Sequence, residues 1–250
     1  MKTMKNVSYL FMVLFLFVLS GPSSNGQQGT MKQENLNNKL SQKEISDGWQ
    51  LLWDGQTNTG WRSYNKETFP ATGWEMKDGI LTVLPPQVSK SGGDIITIKT
   101  FKNFELLVDF MYTPGANSGI KYFIDGKTNV GCEYQVLDDL RHPDAKLGIN
   151  GDRTLAGLYD MIPPKKDKKD NGPDNWNTAK IVVKGNHVEH WLNGQMTVSY
   201  ERGSDAWKAA FATSKFTSNP NFGMASEGHI LLQDHQNKVS YRNIKIREIK

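Results

Sequence analysis

Cysteine is almost absent from this 250-residue chain, in which Cys132 is the only one. A single cysteine excludes an internal disulfide, so a hydrophobic core alone must hold the fold together. The excess of positive charge is also small, with a formal net charge of +4. Proteins that bind nucleic acid usually carry a clustered basic face, so this balance argues against a nucleic acid as partner.

Long hydrophobic runs are confined to the beginning of the chain. Residues 1–26 start with Lys2 and Lys5, continue through YLFMVLFLFVL and end in small residues. This pattern is typical of a secretory signal peptide and is too short for a stable membrane span, with a membrane anchor as the alternative. We therefore expect export to the periplasm or cell envelope, with no membrane span after signal removal.

The rest of the chain divides into a short polar segment and one large domain. Residues 27–47 are polar and rich in amides, and we predict a tether there that leads to a domain spanning residues 48–250. The one basic run, PPKKDKKDNGPD, lies among proline, glycine and asparagine and is interrupted by Asp167 and Asp170. Its composition favours a solvated loop, and the alternative is a loop at the rim of a binding site.

From Gly48 onward the hydrophobic pattern has a period of two. In FELLVDFMY one face carries Phe104, Leu106, Val108 and Phe110, and the other carries Glu105 and Asp109, which is typical of half-buried strands. Asn193-Gly194 lies between two such runs and predicts a tight hairpin. Only Ser204 to Phe216 has helical spacing. The pattern predicts an all-β fold, an antiparallel β-sandwich or jelly roll with one short helix.

The run GCEYQVLDD combines strand alternation with polar residues. Glu133 and Gln135 share one face, and Cys132, Tyr134 and Val136 share the other. The segment HILLQDHQNKVSYRN repeats the arrangement, because its glutamine and histidine also fall on one face of a strand. If both strands lie in the sheet that curves inward, these polar groups converge on a concave surface, and otherwise they are merely solvated.

The convergence singles out candidate site residues. We predict that Glu133 and His235 are catalytic. The candidates for binding a substrate are Gln135, Gln233, Tyr159, Asp138, Lys121, Arg153 and His142. Tyr159 follows the small residues Ala156 and Gly157, which allow close approach of backbone or ligand, although a buried structural tyrosine is the alternative.

Six segments, in chain order, resemble the motifs of the 3-keto-disaccharide hydrolase family: GWQLLWDGQTNTGW, NSGI, GCEYQVLDD, LAGLYD, WNTAKIVVKGNHVEHWLNG and LLQDHQNKVSYRNIKIRE. The resemblance spans Gly48 to Glu248. It implies a concanavalin-like jelly roll in secreted enzymes that cleave glycosides whose glucose ring is oxidised at position 3, by hydrolase or lyase chemistry. A separate oxidoreductase would then make the keto sugar.

The chain departs from this family at one position of the site. Many members carry an arginine after the aromatic residue that follows NSG, whereas KYFID places Phe123 and Ile124 there. A substrate contact made by that arginine needs another source, for which the candidates near at hand are Arg141, His142, Arg153 and Lys121.

Metal and cofactor motifs are weak or absent. The segment HPD, with Asp138 and Asp139 upstream, could bind a divalent ion, but acidic loops more often hydrogen-bond their own turns. His187 and His190 are three apart on a strand, which sends them to opposite faces. No phosphate loop or dinucleotide motif is present, so no cofactor is firmly implied.

The family resemblance changes the chemistry that the residues must perform. An ordinary glycosidase needs two carboxylates, and the strand motif E-x-D-x-x-E of glucanases is absent. A ketone at C3 acidifies the C2 proton, so a base could form an enolate that expels the leaving group from C1. Glu133 or His235 could be the base, and the other or Tyr159 the acid. A non-catalytic carbohydrate-binding module, a structural envelope protein and a conventional glycosidase remain alternatives.

The chain has seven tryptophans, which is a large number for one domain. Sugar sites use flat aromatic rings, but large rings also dominate the buried area of sandwiches. We therefore expect most of the tryptophans in the core and no more than one or two against a ligand.

Overall fold

The structure, a computed structural model, describes residues 37–249. The predicted signal peptide and residues 27–36 lie outside the described residues. Thirteen strands are present in this range: β1 Trp49–Leu51, β2 Trp61–Ser63, β3 Trp74–Lys77, β4 Ile80–Val83, β5 Ile95–Thr97, β6 Phe104–Tyr112, β7 Asn117–Ile124, β8 Cys132–Leu137, β9 Asn177–Lys184, β10 His187–Leu192, β11 Gln195–Glu201, β12 His229–Leu232 and β13 Val239–Glu248.

These strands form two antiparallel sheets. The larger has eight strands in the order β11-β10-β9-β6-β13-β4-β3, with β1 also paired to β13. The smaller has five strands in the order β2-β5-β12-β7-β8. The predicted all-β sandwich is confirmed. Among residues 37–249, no helix is long and apolar enough to cross a membrane.

The core lies between the two sheets and is built by strand alternation. In β6 every second residue from Phe104 to Tyr112 is at most 1% exposed, whereas Glu105 turns outward and pairs with Arg247 at 2.7 Å. Facing them from β7 and β8 are Tyr122 and Tyr134, both fully buried. Burial of this apolar surface is the main stabilising contribution in a fold without disulfides.

Polar groups within this core are held by side chains from both sheets. The hydroxyl of Tyr122 lies 2.7 Å from Nε2 of His190 and 2.6 Å from the hydroxyl of Tyr200. Burial lowers the pKa of His190 to about 3, so this ring is neutral at physiological pH. His187, three residues earlier, is partly exposed, and the two histidines therefore lie on opposite faces as predicted.

Turns and helices follow the local signals. Asn193 and Gly194 both have positive φ, 48° and 80°, as the hairpin between β10 and β11 requires. Helix α2, Asp205–Thr213, begins after Ser204, whose hydroxyl accepts from the Trp207 amide at 3.2 Å. The helix ends earlier than predicted, because the chain turns at Ser214 into a short 3₁₀ helix, Lys215–Ser218.

The segment predicted as a tether is partly structured. Residues 42–46 form helix α1, Gln42–Ser46, which is preceded by a capping box between Ser41 and Glu44. Asn38 is buried and exchanges hydrogen bonds with Asn243 of β13, at 2.6 and 2.8 Å. Residues 37–47 therefore pack against the domain and do not form a free linker.

Candidate functional site

A cavity of about 470 Å³ lies on the outer face of the five-stranded sheet, at the β7 and β8 edge. Its floor is polar and comes from these two strands, and its walls come from four loops. The lining residues are Asn117, Lys121, Asn129, Val130, Gly131, Glu133, Gln135, His142, Pro143, Asp144, Leu147, Tyr159, Lys215, Phe216, Gln233 and His235.

Strand pairing places the floor side chains together. Lys121 of β7 lies opposite Glu133 of β8, and Gly119 lies opposite Gln135. Paired residues share a face, so these groups point into the cavity. The intervening residues of β8 point the other way, and Cys132, like its apolar neighbours, is fully buried in the core. GCEYQVLDD is thus a strand between the core and the cavity.

Glu133 is the most unusual group of the floor. Glu133 is only 6% exposed. Within residues 37–249 its carboxylate has one ion-pair partner, Lys121, whose Nζ lies 3.7 Å from Oε2. Burial raises the pKa of Glu133, and the positive charges of Lys121 and Lys215 offset only part of the effect. A buried carboxylate with so few partners is suited to accept a proton.

Gly119, in the NSGI segment, makes room for this carboxylate. A Cβ atom at position 119 would lie 2.0 Å from Oε1 and 2.7 Å from Cδ of Glu133. Any larger residue would therefore have to push the glutamate away. Because Gly119 has no side chain, the Glu133 carboxylate can occupy this space at the floor of the cavity.

A hydrogen-bonded chain fixes Lys121 beside Glu133. The Lys121 ammonium donates to the backbone oxygen of Asn129 at 3.3 Å. The Asn129 amide in turn donates to Asp94 at 2.9 Å, and Asp94 also accepts from the Asp234 backbone amide. This chain ties the β7–β8 hairpin to the loop after β12.

Gln135 completes the floor with a free acceptor. Its Nε2 donates to Asn117 at 3.4 Å, whereas its Oε1 is buried without a hydrogen-bond partner in the described part of the chain. Buried polar atoms normally have partners. An acceptor left open at the floor of a cavity is available to a ligand hydroxyl.

Gln233 and His235 reach the cavity by a route that the sequence pattern did not predict. Strand β12 ends at Leu232, so both residues lie on a loop and not on one face of a strand. Asp234 fixes the loop, because its carboxylate accepts from the backbone amides of Gly92 and Gly93 at 2.9 and 3.0 Å. The loop orients His235 toward His142, with 6.0 Å between the ring centroids.

His142 forms part of the opposite wall. Its Nδ1 accepts from the Asp144 amide at 3.2 Å and caps a short 3₁₀ helix, Pro143–Lys146. Burial and the neighbouring His235 both lower the pKa of His142. The ring is therefore neutral at physiological pH, whereas His235 itself is exposed at the mouth of the cavity.

A tyrosine and a lysine form another wall of the cavity. The segment around Tyr159 runs beside β8, with the Tyr159 amide donating to the Glu133 carbonyl at 3.0 Å. Lys215 donates to the Tyr159 hydroxyl at 3.0 Å. Burial and the Asp144 carboxylate raise the pKa of Tyr159, so its hydroxyl stays protonated. Partial burial lowers the pKa of Lys215.

Two predicted residues do not line the cavity. The Asp138 carboxylate accepts from the backbone amides of Gly115, Leu140 and Arg141, and it also pairs with the Arg141 side chain at 3.0 Å. These donors lower its pKa and identify it as a structural turn residue. The second residue, Arg153, contacts residues of the cavity wall without lining the cavity itself.

Arg153 binds Asp144 at 3.0 Å and Asp160 at 2.5 Å, and its guanidinium lies 5.6 Å from the Tyr159 ring centroid. The arginine therefore positions wall residues and does not enter the cavity. Asp139 likewise pairs with Lys168 at 2.7 Å. In the described part of the chain, no cluster of three or more His, Cys, Asp or Glu residues could hold a metal ion.

The structure brings seven of the nine predicted residues to one cavity: Lys121, Glu133, Gln135, His142, Tyr159, Gln233 and His235. Sequence reasoning missed Asn117, Asn129, Lys215 and Phe216, and it considered Asp144 only as part of a possible ion site in the segment HPD. No tryptophan lines the cavity, and Phe216 and Tyr159 are the phenylalanine and tyrosine residues in its lining. Lys215 lay near the end of the predicted helix, and helical spacing does not indicate where a helix packs.

Comparisons with known proteins agree with this fold. Residues 48–247 match the model of the 3-keto-alpha-glucoside-1,2-lyase-like domain. A 3-keto-disaccharide hydrolase of Bacteroides thetaiotaomicron is 35% identical over 231 residues, which cover 81% of this chain and 79% of the relative.

Two crystal structures of candidate glycosyl hydrolases from Parabacteroides distasonis are also similar. One shares 32% identity with a TM-score of 0.76, covering 86% of this chain and 100% of the other. The second shares 25% identity with a TM-score of 0.60, covering 80% of this chain and 99% of the other.

The jelly roll and its polar cavity define the class of this protein, which is a glycoside-cleaving enzyme. More narrowly, the chain belongs to the family of the 3-keto-alpha-glucoside-1,2-lyase-like domain, and the family predicted from its motifs is confirmed.

Proposed function

We propose that this protein cleaves 3-keto-glucosides by base-catalysed elimination followed by addition of water. The observation that carries the proposal is Glu133, a buried carboxylate with a raised pKa and one distant partner at the floor of the cavity. The family membership supplies the substrate class. The 3-keto-disaccharide hydrolase of B. thetaiotaomicron supports the same class.

The first step removes the C2 proton of the oxidised ring. Glu133 accepts this proton, and the electron pair moves into an enolate on the C3 oxygen. The Tyr159 hydroxyl and the Lys215 ammonium, 3.0 Å apart, hydrogen-bond the enolate oxygen. Lys121 keeps Glu133 in place and favours its ionised form before the reaction.

The second step expels the leaving group. The enolate electrons return to form the C1–C2 double bond as the bond from C1 to the leaving oxygen breaks. His235, exposed at the mouth of the cavity, donates a proton to that oxygen. Hydroxide from water then adds to C1, the remaining proton of that water restores His235, and the Glu133 carboxyl, after exchanging its proton with solvent, protonates C2. The products are 3-keto-glucose and a free alcohol, in a net hydrolysis.

The acids that line the cavity disfavour a conventional glycosidase. They are Glu133 and Asp144, and Asp144 is held by Arg153 at 3.0 Å. An ordinary retaining or inverting mechanism needs two carboxylates free to act at the glycosidic bond. The ketone removes this need, because a single base is sufficient to start the elimination.

We further propose that the protein is exported to the periplasm or cell envelope, where a separate oxidoreductase supplies its substrate. The hydrophobic run at residues 9–19 supports export. The oxidoreductase follows from the chemistry, since neither the sequence motifs nor the cavity provides a dinucleotide site.

The test compares a 3-keto-glucoside with the matching unoxidised glucoside. We expect turnover only of the oxidised compound, and a fall of roughly 10²–10⁴ in kcat for Glu133→Gln. Glu105→Gln is the matched control, because Glu105 lies on the other sheet and pairs with Arg247. Equal cleavage of both glucosides would instead indicate a conventional glycosidase, and binding without turnover would indicate a carbohydrate-binding module.

A further inference from the structure

Exposed apolar side chains occur in the cavity and on the loops that form its walls. Eight large hydrophobic residues are exposed among residues 37–249. Five of them belong to the loops that surround the cavity or to the adjoining surface: Val130, Leu140, Leu147, Ile149 and Met224. Two of these, Val130 and Leu147, line the cavity itself and are 36% and 55% exposed. Together with Phe216, these two residues form an apolar rim above the polar floor, and adjoining exposed apolar side chains can mark a ligand-binding surface.

A second cavity continues from this rim. It has a volume of about 280 Å³ and shares Val130 with the first cavity. Phe216 lines the first cavity and Phe222 lines the second, and their rings are stacked with centroids 4.0 Å apart. Met224, 44% exposed, also lines the second cavity. The wall between the two cavities is therefore formed by apolar side chains.

The polar side chains of the second cavity are largely occupied by their own turns. Asp125 accepts from the backbone amides of Lys127 and Thr128 at 2.9 and 3.0 Å. Asn219 accepts from the Asn221 amide at 3.3 Å. Because these groups already accept hydrogen bonds, fewer acceptor positions remain for a sugar hydroxyl. The side chains of Val130 and Leu147, in contrast, remain exposed in the described part of the chain.

We infer that the leaving group of the substrate is an apolar, ring-bearing aglycone that binds against Val130, Leu147 and Phe216. This inference rests on the proposed function, which places the oxidised sugar on the polar floor and its C1 substituent toward the mouth. An aglycone there would cover the exposed rim and extend toward Met224. A second sugar would leave the rim exposed and find few free hydrogen-bonding groups.

The experiment compares methyl, benzyl and glucosyl 3-keto-glucosides. Methyl and benzyl alcohols are similar leaving groups, so a difference between these two substrates reports contact with the ring. We expect kcat/KM for the benzyl compound to exceed that for the methyl compound by about tenfold or more, in the range that one apolar contact provides. We expect it also to exceed that for the glucosyl compound.

The double variant Val130→Ser/Leu147→Ser should reduce the ratio of benzyl to methyl kcat/KM to less than about threefold. Its rate with the methyl compound reports whether the variant is folded. The control is Val88→Ser/Ile98→Ser, since these residues are 68% and 59% exposed and line neither cavity. The control should keep the wild-type ratio.

Binding to Glu133→Gln separates this inference from the proposed reaction. If the wild-type enzyme turns over none of the compounds but Glu133→Gln binds the benzyl compound more tightly than the methyl compound, the reaction is wrong and the aglycone site stands. If 3-keto-glucosides are cleaved with equal affinity for the methyl and benzyl compounds, or with preference for the glucosyl compound, the aglycone inference is overturned.

Discussion

Glu133 and Asp138 lie five residues apart, within and just beyond strand β8, and both are buried, yet their surroundings are opposite. The Asp138 carboxylate accepts hydrogen bonds from three backbone amides and from a guanidinium, and these donors lower its pKa. The Glu133 carboxylate has an ion pair at 3.7 Å and no hydrogen bond within residues 37–249, and burial raises its pKa. A fully partnered buried carboxylate stabilises a turn, whereas a poorly partnered one is available for chemistry.

The largest expected difference between the two carboxylates is in activity. Glu133→Gln should lower kcat by roughly 10²–10⁴, because the base is lost while the shape is retained. Asp138→Asn should leave kcat per folded molecule within about threefold, because Asp138 does not line the cavity. Steady-state kinetics on protein whose folded fraction is measured by circular dichroism would check this, and an inactive but folded Asp138→Asn would erase the distinction.

The next effect concerns the space that Gly119 provides. A Cβ at this position would lie 2.0 Å from the Glu133 carboxylate, so Gly119→Ala should displace the base and lower kcat by about 10²-fold. In a Glu133→Ala background the added methyl group has room, and the same substitution should have little further effect on kcat. Equal losses in both backgrounds would show that Gly119 acts elsewhere.

Substitution of the two residues should change the free energy of unfolding in opposite directions. Asp138→Asn removes a charged acceptor from four donors and should lower the free energy of unfolding by about 1.5–3 kcal/mol at pH 7. Glu133→Gln should raise it, because the ionised carboxylate is disfavoured by burial in the folded state. Denaturant unfolding of both variants at pH 7 measures the difference, and a destabilised Glu133→Gln would contradict the assignment of a poorly partnered base.

The pH dependence of stability follows from the directions of the two pKa shifts. The pKa of Asp138 is lowered by folding, so its stabilisation is present above the unfolded value of about 3.9 and is lost as the pH falls through the folded value. The pKa of Glu133 is raised, so its contribution is present below about 4.3 and is lost as the pH rises through the folded value. The Glu133→Gln difference from wild type should therefore shrink on acidification toward pH 4, whereas the Asp138→Asn difference should persist at pH 4 and shrink only at lower pH.

The activity of the wild-type enzyme should also fall on acidification, because the base must be ionised. The acid limb of the profile of kcat/KM against pH should lie above the usual glutamate pKa of about 4.3. A limb at or below that value would show that Glu133 is not the titrating base.

The smallest expected effect concerns the basic loop. Lys165, Lys166 and Lys169 are exposed, and their replacement by serine should change the free energy of unfolding by no more than about 0.5 kcal/mol. Lys168 is different, because its side chain is 12% exposed and binds Asp139 at 2.7 Å. Lys168→Ser should lower the free energy of unfolding by about 0.5–1 kcal/mol. Indistinguishable effects of all four substitutions in thermal unfolding would reject the difference.

The sequence was sufficient for features set by local chemistry. Alternation along β6 and β8, the Asn193-Gly194 turn and the Ser204 cap each depend on neighbouring residues, so the two-sheet fold and the direction of Glu133 could be predicted. The face of β8 that carries Glu133 and Gln135 was identified by parity alone. The family was predicted from motifs in the same way.

Features set by long-range packing could not be predicted from local patterns. His235 reaches the cavity because Asp234 binds the amides of Gly92 and Gly93, which are about 140 residues away in the chain. Lys215 enters the site because the chain leaves α2 through a 3₁₀ helix and packs against Tyr159. Asp138 and Glu133 are alike in sequence context, and only the folded arrangement of their donors distinguishes them.

Proton exchange at C2 tests the central claim most directly. A 3-keto-glucoside is incubated with the mature protein in deuterated water, and the released sugar is analysed by NMR at early conversion. The free 3-keto sugar is incubated with and without enzyme to measure background exchange. Removal of the C2 proton by Glu133 predicts deuterium at C2 in the first product formed, above both backgrounds. Product that carries only background deuterium at C2 would contradict elimination and would remove the assigned role of Glu133.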